Sequence, residues 1–294
     1  RHTVLQVIPE LQTGGAERTT VDIAAALVAA GHRALVASAG GRLVTELEAV
    51  GARHIRLPLS AKSPVAMWRN MRALKRLILS EGIDLVHARS RAPAWSALWA
   101  ASACDVPFVT TYHGIYGQKN AAKAFYNSVM ARGDVVIANS EYTGELIRRV
   151  HGIDNARLRV VPRGCDISAL APENVSAVMR ADQRRAWGAS ADDFVILCPA
   201  RITELKGQDV LLAALAQRPA DDRPFVVFAG SAEGRAEYFA ALERQVAEAG
   251  LTKRVYFAGL VRDMGRAYGA CDLAIVPTVR GEPFGRTIVE AQAA

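Results

Sequence analysis

The chain has 294 residues, 51% of them hydrophobic and 22% charged. This balance is typical of a folded protein of about two domains, and it excludes disorder, collagen-like repeats and coiled coil. The longest uncharged apolar stretch, residues 92–104, is shorter than the roughly 20 apolar residues that a membrane-spanning helix needs. The net charge of +7 favours anionic partners without choosing among them.

Apolar strand-like segments alternate with helical segments along almost the whole chain. We predict strands at 3–8, 33–38, 54–57, 84–88, 106–112, 134–139, 158–161, 194–199, 224–230, 254–258 and 273–276. We predict helices at 16–30, 64–80, 93–103, 141–150, 177–187, 207–216, 235–249, 264–269 and from 286. Strands this apolar are typical of parallel sheets buried on both faces.

The pattern breaks at residues 162–190, which are rich in Pro, Gly, Asp and Asn. We therefore predict an α/β protein with two doubly wound domains, residues 1–165 and 166–294. Ligands of such sheets bind beyond the carboxyl ends of the strands, and paired domains place the site in the cleft between them. Because the second domain stops inside a helix, we expect that it is truncated.

Several familiar signatures are absent from the sequence. It has no Walker motif, no G-x-G-x-x-G after a strand, no H-E-x-x-H, no G-x-S-x-G and no D-x-D pair to chelate a metal–diphosphate. The cysteines at 104, 165, 198 and 271 lack C-x-x-C spacing and lie beside apolar segments. We expect reduced, buried thiols in a reducing compartment.

The first candidate binding segment is TGGAE at residues 13–17, between the first strand and its helix. Gly14 and Gly15 allow the backbone to approach a ligand closely, and the helix N-terminus offers N–H groups to an anion. The alternative is a tight strand-to-helix turn in which Glu17 complements the helix dipole.

Two cations follow the first strand of the second domain. Arg201 supplies a planar fork and Lys206 a mobile point charge, a combination that suits a diphosphate. The alternative is a pair of solvated surface charges.

The third segment is GEPFGRTIVE at residues 281–290. Glu282 precedes a turn, a helix begins near Arg286, and Glu290 lies one helical turn further on. The two carboxylates can bracket a polyhydroxyl ligand, with helix N–H groups meeting a phosphate between them. The alternative is a helix cap followed by a solvated Glu.

His113, in the segment TYHG at residues 111–114, closes a strand of the first domain. A His beside Gly at a strand end is well placed for a cleft, and a structural loop His is the alternative. The other histidines are interpreted as structural or surface residues.

Together these segments resemble the retaining, nucleotide-sugar-dependent glycosyltransferases of family 4, whose GT-B fold has two facing Rossmann-like domains. The resemblance covers nearly the whole chain, and E-x7-E at Glu282 and Glu290 is its most specific element. The other matching segments are GGAER at 14–18, TYHG at 111–114, ANSEYT at 138–143, VVPRGCD at 160–166 and PARITELKG at 199–207.

The resemblance implies that Arg201 and Lys206 bind the donor diphosphate, that Glu290 binds the ribose, and that Glu282 and His113 lie at the donor sugar. The implied catalytic residues are His113, Glu282, Arg201 and Lys206. The implied donor-binding residues are Gly14, Gly15, Arg201, Lys206, Val261, Arg262, Glu282, Phe284, Gly285, Arg286, Thr287 and Glu290.

We assign acceptor binding to residues of the first domain, although Arg163 departs from the family's usual Asn. The assigned residues are Arg89, Tyr112, Tyr116, Asn139, Ser140 and Arg163.

The implied activity is that of a metal-independent, cofactor-independent retaining hexosyltransferase. The anomeric C–O bond breaks, and the leaving charge is met by Arg201, Lys206 and helix N–H groups. We favour front-face transfer, and a covalent role for Glu282 stays open. The family's common acceptors suggest a lipid-linked or envelope glycan such as lipopolysaccharide core, and hence a cytoplasmic enzyme.

The helix at 64–80 combines apolar and basic faces. Met67, Trp68, Met71, Leu74 and Leu77 are expected on one face, and the basic residues are Lys62, Arg69, Arg72, Lys75 and Arg76. This pattern suggests docking on the cytoplasmic face of an anionic inner membrane. The alternative is a core-facing helix with a solvated basic side.

Three other functions compete with transfer. A nucleotide-sugar 2-epimerase of the same fold is disfavoured by Glu282 and Glu290. A non-catalytic, two-domain sugar-binding protein of the periplasm would have no need for Arg201 and Lys206, and no signal-peptide pattern opens this sequence. A nucleic-acid-binding role explains the charge but none of the motifs.

Overall fold

The computed structural model describes residues 1–12, 14–114, 116–117, 120–164 and 167–294. The chain divides into two compact units, Arg1–Arg163 and Gly164–Ala294. The domain boundary predicted between residues 165 and 166 falls outside the described residues, as do Thr13 of the first candidate segment and Cys165.

The first unit is built on a seven-stranded, fully parallel sheet. Its strands are β1 (Thr3–Val7), β2 (Arg33–Ser38), β3 (Arg53–Arg56), β4 (Leu85–Ala88), β5 (Phe108–Tyr112), β6 (Val135–Ala138) and β7 (Leu158–Val160). Its helices are α1 (Gly15–Ala29), α2 (Val44–Ala49), α3 (Pro64–Glu81), α4 (Arg91–Ser102), α5 (Ala121–Ser128) and α6 (Glu141–His151).

The strand order of this sheet is β3-β2-β1-β4-β5-β6-β7. The sequence of strands therefore reverses direction between β1 and β4, which is the topological switch point of a doubly wound sheet. Apolar side chains cover both faces: Leu5 and Leu35 belong to one core cluster, and Val36 and Leu47 belong to the other. The candidate polar residues of this unit lie at the strand ends, although Gln6 and the hydrogen-bonded pair His87 and Thr111 are buried within the sheet.

The second unit repeats the arrangement with a four-stranded parallel sheet in the order β10-β9-β8-β11. Its strands are β8 (Val195–Cys198), β9 (Phe225–Ala229), β10 (Val255–Gly259) and β11 (Leu273–Ala274). Its helices are α7 (Ile167–Leu170), α8 (Ala177–Trp187), α9 (Gln208–Ala216), α10 (Ala236–Glu248), α11 (Met264–Ala270) and α12 (Arg286–Ala293). The switch point lies between β8 and β11.

An ion network fastens α8 to the start of the sheet in this unit. The Asp272 carboxylate accepts from the backbone N–H of Val195 at 2.7 Å, from Arg180 Nη2 at 2.5 Å and from Arg184. Arg184 is 7% exposed, and its Nε also donates to the Ala270 carbonyl at 2.9 Å. These charged hydrogen bonds hold the pKa of Asp272 below its usual value against the opposing effect of burial.

The predicted fold class, α/β with two Rossmann-like units of the GT-B type, is confirmed. Every predicted strand and helix is present within a few residues, whereas α2, α5 and α7 were not predicted. All three are short, and their local signals are weak: α2 buries one residue, Leu47, and α5 depends on Asn120, whose side chain accepts from the Lys123 N–H at 2.8 Å.

Helix α3 packs its apolar face into the first unit. Leu74 and Ile78 are fully enclosed, and Met71 packs against the same cluster. Trp68 departs from the predicted apolar face: it is 51% exposed and lies under the Arg72 guanidinium at 4.8 Å. The outward face of α3 is therefore basic, with an exposed indole. In the part of the chain that the structure describes, no helix combines the length and apolarity needed to cross a bilayer.

The predicted buried thiols are found in part. Cys198 is completely buried, and burial raises its pKa to about 12. Cys104 and Cys271 are free but only half-buried, so the prediction of full burial is wrong for these two.

Candidate functional site

The first unit places four candidate side chains at the carboxyl edge of its sheet. Arg89 directly follows β4, His113 follows β5, Asn139 follows β6, and Arg163 comes shortly after β7. Because all these strands are parallel, their carboxyl ends meet at the same edge. The sequence-predicted residues of the first unit are therefore brought together by topology.

The contact between His113 and Arg163 defines the state of the imidazole. Arg163 Nη2 donates to His113 Nδ1. A guanidinium only donates, so Nδ1 accepts, and the neutral ring carries its proton on Nε2. Burial, followed by the positive charges of Arg89 and Arg163, lowers the pKa of His113 well below its ordinary value. His113 is thus a neutral hydrogen-bond donor through Nε2, which has no protein partner among the described residues.

Arg89 is an almost completely buried cation. It is 3% exposed, and its Nε and Nη2 have no hydrogen-bond partner in the described part of the chain. Burial and the neighbouring charge of Arg163 lower its pKa to about 9, against a smaller opposing effect of Asp22 on α1. A guanidinium in this environment is a strong binder of an oxyanion.

Asn139 and Ser140 have different roles at the end of β6. Asn139 is 1% exposed, and neither its Oδ1 nor its Nδ2 has a partner within the described residues. Ser140 caps α6, since its Oγ accepts from the Thr143 N–H at 3.1 Å. Asn139 is the residue of this pair with hydrogen-bonding capacity left for a ligand.

The two candidate tyrosines are largely enclosed. Tyr112 is 2% exposed, belongs to the core cluster and has its hydroxyl bonded to His151 Nε2. Tyr116 lies beside it, with ring centroids 4.8 Å apart, and beneath the Arg91 guanidinium at 4.1 Å. The structure therefore gives Tyr112 a packing environment rather than an open one.

The glycine segment after β1 forms the start of α1. The Gly14 N–H donates to Glu17 Oε2 at 2.6 Å, so Glu17 satisfies one helix N-terminal donor. A Cβ on Gly15 would lie 3.2 Å from Arg163 Nη1. The missing side chain at Gly15 thus leaves room for the Arg163 guanidinium at the helix N-terminus.

In the second unit, the loop after β8 presents the two predicted cations. Arg201 is exposed, whereas Lys206 is half-buried and its Nζ contacts Glu282 Oε2. Gly207 has φ +69°, and a Cβ there would lie 2.1 Å from the Pro277 carbonyl oxygen. Glycine is required at this position because the loops after β8 and β11 touch through their backbones.

The carboxylate Glu282 is held by the ammonium of Lys206. Thr278 Oγ1 also donates to Glu282 Oε2, at 3.4 Å. The side chains of Lys206 and Glu282 are 24% and 27% exposed, so this pair is partly open to solvent. The sequence placed both residues in the site but did not predict that they pair.

The carboxylate Glu290 is held separately within α12. Arg286 Nε donates to its Oε1 at 2.7 Å, and the Tyr268 hydroxyl donates to its Oε2 at 3.3 Å. Gly285 precedes α12 with φ +75°, as a left-handed turn at the helix start requires. The predicted one-turn spacing between Arg286 and Glu290 is therefore present as an i,i+4 pair.

The other predicted donor residues lie beside Gly285 or shortly after β10. Phe284 and Thr287 are half-buried beside Gly285, and the Thr287 carbonyl accepts from the Tyr268 hydroxyl at 3.2 Å. Val261 packs against the core of the second unit, and Arg262 is exposed.

Sequence reasoning missed Tyr268 and Thr278. Tyr268, on α11, is 5% exposed, and its only signal in the sequence is that it is the one aromatic residue of that helix. Its contact with Glu290 joins residues 22 positions apart, which no local spacing reveals. In residues 1–12, 14–114, 116–117, 120–164 and 167–294, no group of three or more His, Cys, Asp or Glu is arranged to hold a metal ion.

Two family models match the chain. Residues 13–169 match "Glycosyltransferase Family 4", and residues 179–294 match "Glycosyl transferases group 1". Among curated proteins, a D-inositol 3-phosphate glycosyltransferase of Xylanimonas cellulosilytica is 34% identical over 230 residues, covering 73% of this chain and 54% of the relative. The chain thus spans about half the length of this relative.

Solved structures agree with the assignment. A glycosyltransferase from Rickettsia africae has a TM-score of 0.89 and 32% identity, covering 100% of this chain and 77% of that chain. Anabaena Alr3699/HepE, solved in complex with UDP-glucose, has a TM-score of 0.84 and 25% identity, covering 100% of this chain and 78% of that chain.

The neutral state of His113 can be tested by NMR. We expect the His113 ring to keep its Nε2–H tautomer from about pH 7.5 down to about pH 5.5, because its pKa is lowered. The measurement is a ¹⁵N–¹H correlation spectrum of the imidazole, assigned with His113→Gln. The same protein unfolded in urea should titrate near pH 6.5.

Because protonation of His113 is coupled to folding, the pH dependence of stability gives a second test. The folded state binds protons at His113 less readily than the unfolded state, so stability falls as pH drops below about 6.5. His113→Gln should reduce this slope by up to about 1.4 kcal/mol per pH unit. A His113 ring that protonates in the folded protein above pH 6 would contradict the assignment.

Proposed function

We propose, on the premise that this chain belongs to glycosyltransferase family 4, that it transfers a sugar from a nucleoside-diphosphate sugar to an acceptor hydroxyl. The observation that carries the proposal is the cluster at the switch point of the second unit. There, Lys206 after β8 pairs with Glu282 of the segment after β11, and Arg201 lies in the same loop as Lys206.

The charges of this cluster suit the donor. Arg201 is exposed and makes no salt bridge among the described residues, so its guanidinium can bind the diphosphate. The Lys206 ammonium is paired with the Glu282 carboxylate, and a diphosphate would compete with that carboxylate for it. Glu290 is oriented by Arg286 and Tyr268, so its carboxylate can accept hydrogen bonds from ribose hydroxyls. A solved relative supports a nucleoside-diphosphate sugar as the donor, since Alr3699/HepE was solved in complex with UDP-glucose.

The proposed reaction proceeds with retention. The bond between the anomeric carbon and the diphosphate oxygen breaks through an oxocarbenium-like state, and the acceptor oxygen forms its bond on the same face. The acceptor proton passes to the leaving phosphate oxygen. His113 can donate from Nε2 to the transferred sugar, and Arg201 and Lys206 stabilise the leaving diphosphate without a metal.

The proposed acceptor is an envelope or lipid-linked glycan bound by the first unit. The curated relatives named D-inositol 3-phosphate glycosyltransferases favour a second candidate, a phosphorylated polyol. Both candidates place the acceptor at the edge that carries Arg89, Asn139 and Arg163.

Donor binding is tested by a thermal-shift panel of UDP, GDP, ADP and CMP, free and sugar-linked, on the full-length protein. One nucleotide at about 100 times its dissociation constant should stabilise wild type by about 2.7 kcal/mol. Arg201→Ala and Glu290→Ala should lose most of this response because they remove the diphosphate and ribose contacts.

Arg244→Ala is the matched control, since Arg244 is an exposed arginine of the same unit. It should respond like wild type. A folded protein that none of the nucleotides stabilises, or variants that respond as wild type does, would contradict the proposed donor site.

We further propose that the outward face of α3 docks the protein on the cytoplasmic surface of an anionic membrane. This face carries exposed Arg69, Arg72, Lys75 and Arg76, and its apolar residues Val65, Trp68 and Leu79 are 61%, 51% and 66% exposed. Basic charge attracts the surface, and exposed apolar side chains can enter the headgroup region.

Co-sedimentation with phosphatidylglycerol vesicles tests this docking. Changing Arg69, Arg72, Lys75 and Arg76 to Glu should weaken binding by about 10³-fold, because each basic residue contributes about 1 kcal/mol. The matched control changes four exposed basic residues elsewhere, Arg149, Arg185, Arg244 and Lys253. Equal loss in both variants, or equal binding to phosphatidylcholine, would contradict the proposal.

A further inference from the structure

The carboxyl edge of the first sheet holds more buried hydrogen-bonding capacity than the described residues use. Three side chains contribute: Arg89 through Nε and Nη2, His113 through Nε2, and Asn139 through both amide atoms. Arg89 and Asn139 are 3% and 1% exposed. Buried polar groups without partners are rare and costly, so a cluster of them marks a place where a ligand supplies the partners.

The charge of this cluster is positive. Arg89 and Arg163 are close enough that each disfavours protonation of the same His113 ring, and Arg163 also disfavours the charge on Arg89. His113 is neutral, so it offers no compensation. Asp22 is the carboxylate whose charge acts on Arg89, and it lies on the exposed side of α1.

The first turn of α1 adds to this positive field. Gly15 begins the helix, and Arg163 Nη1 lies 3.2 Å from where its Cβ would be. The helix N-terminus therefore lies beside the Arg163 guanidinium, and both favour negative charge. The switch point between β1 and β4 positions α1 and Arg89 at the same crevice.

We propose that Arg89 binds an anionic oxygen group, phosphate or carboxylate, of the acceptor, and that Asn139 binds a neighbouring hydroxyl. This inference rests on the proposed transferase function and adds the substrate class: the acceptor is an acidic glycan or polyol, not a neutral sugar. Arg163 positions His113 and contributes charge to the same group.

Two sources could supply the anion, the acceptor or the donor diphosphate. The acceptor is favoured because the second unit already offers the diphosphate its own cations, Arg201 and Lys206. Arg89 also lies at the same edge of the first sheet as Asn139, whose amide can bind hydroxyls of the same ligand. The experiment separates the two sources.

The test titrates the full-length protein with inorganic phosphate against chloride at constant ionic strength. In wild type, phosphate at tenfold its dissociation constant should raise the unfolding midpoint by about 3–6 °C. Arg89→Gln should lose this response, and in chloride it should be at least as stable as wild type because it removes a buried charge that burial and Arg163 both disfavour. Arg149→Gln, the same change at an exposed arginine of the same unit, is the matched control and should keep the response.

A spectroscopic readout keeps the test independent of how well the variant folds. The Nε–H of Arg89 is buried, so its ¹⁵N–¹H resonance should be visible, and it should shift with phosphate. If Arg89→Gln does not fold, Arg89→Lys assigns the resonance by its loss. An Arg89 resonance that phosphate leaves unmoved, or an equal thermal response in all variants, would overturn the anion site.

A nucleoside diphosphate titration identifies the source of the anion. If the nucleotide binds and leaves the Arg89 resonance unmoved, the site belongs to the acceptor. If the nucleotide shifts that resonance as phosphate does, the donor supplies the anion and the acceptor assignment is overturned. If no nucleotide binds while phosphate still shifts Arg89, the proposed transferase function fails and the anion site stands.

Discussion

Parallel strands that are buried on both faces leave their ends as the main place for polar chemistry, and this constraint positions the candidate residues at the carboxyl edges of both sheets. In both units the strand order reverses once, between β1 and β4 and between β8 and β11. The helices that follow those strands diverge at that point and open a crevice at the carboxyl edge. Arg89 lies at the first reversal, and Arg201 and Lys206 lie at the second.

The two crevices differ in how their charges are compensated. In the second unit each carboxylate already has a cation, Lys206 for Glu282 and Arg286 for Glu290. These ion pairs keep the side chains oriented before a ligand binds. A ligand that enters there takes the place of an existing partner. In the first unit, Arg89 and Asn139 are buried with hydrogen-bonding atoms that no described residue satisfies. A ligand entering there supplies the missing partners, so binding and local stability are coupled.

Much of this organisation could be predicted from the sequence. Apolar runs predict the strands, the alternation with helical segments predicts the two doubly wound units, and the E-x7-E segment predicts the i,i+4 relation of Arg286 and Glu290. The sequence could not predict contacts across long separations, such as Tyr268 with Glu290. It also could not show that Trp68 turns outward from α3, because helical periodicity alone places it beside Met71, whereas packing against α4 determines the buried face.

Sequence patterns identify candidate residues, but burial determines the protonation state of each one. His113 is a candidate because it ends a strand, but its neutrality and tautomer follow from burial and from the contact with Arg163.

We propose above all that this fold uses a nucleoside-diphosphate sugar to glycosylate an acidic acceptor. The most direct measurement is release of nucleoside diphosphate by the full-length protein from a panel of nucleotide sugars, with EDTA present, with and without a phosphorylated polyol. The account predicts release from one donor that the acidic acceptor accelerates. No release from any donor, or release that only a neutral acceptor accelerates, would contradict it.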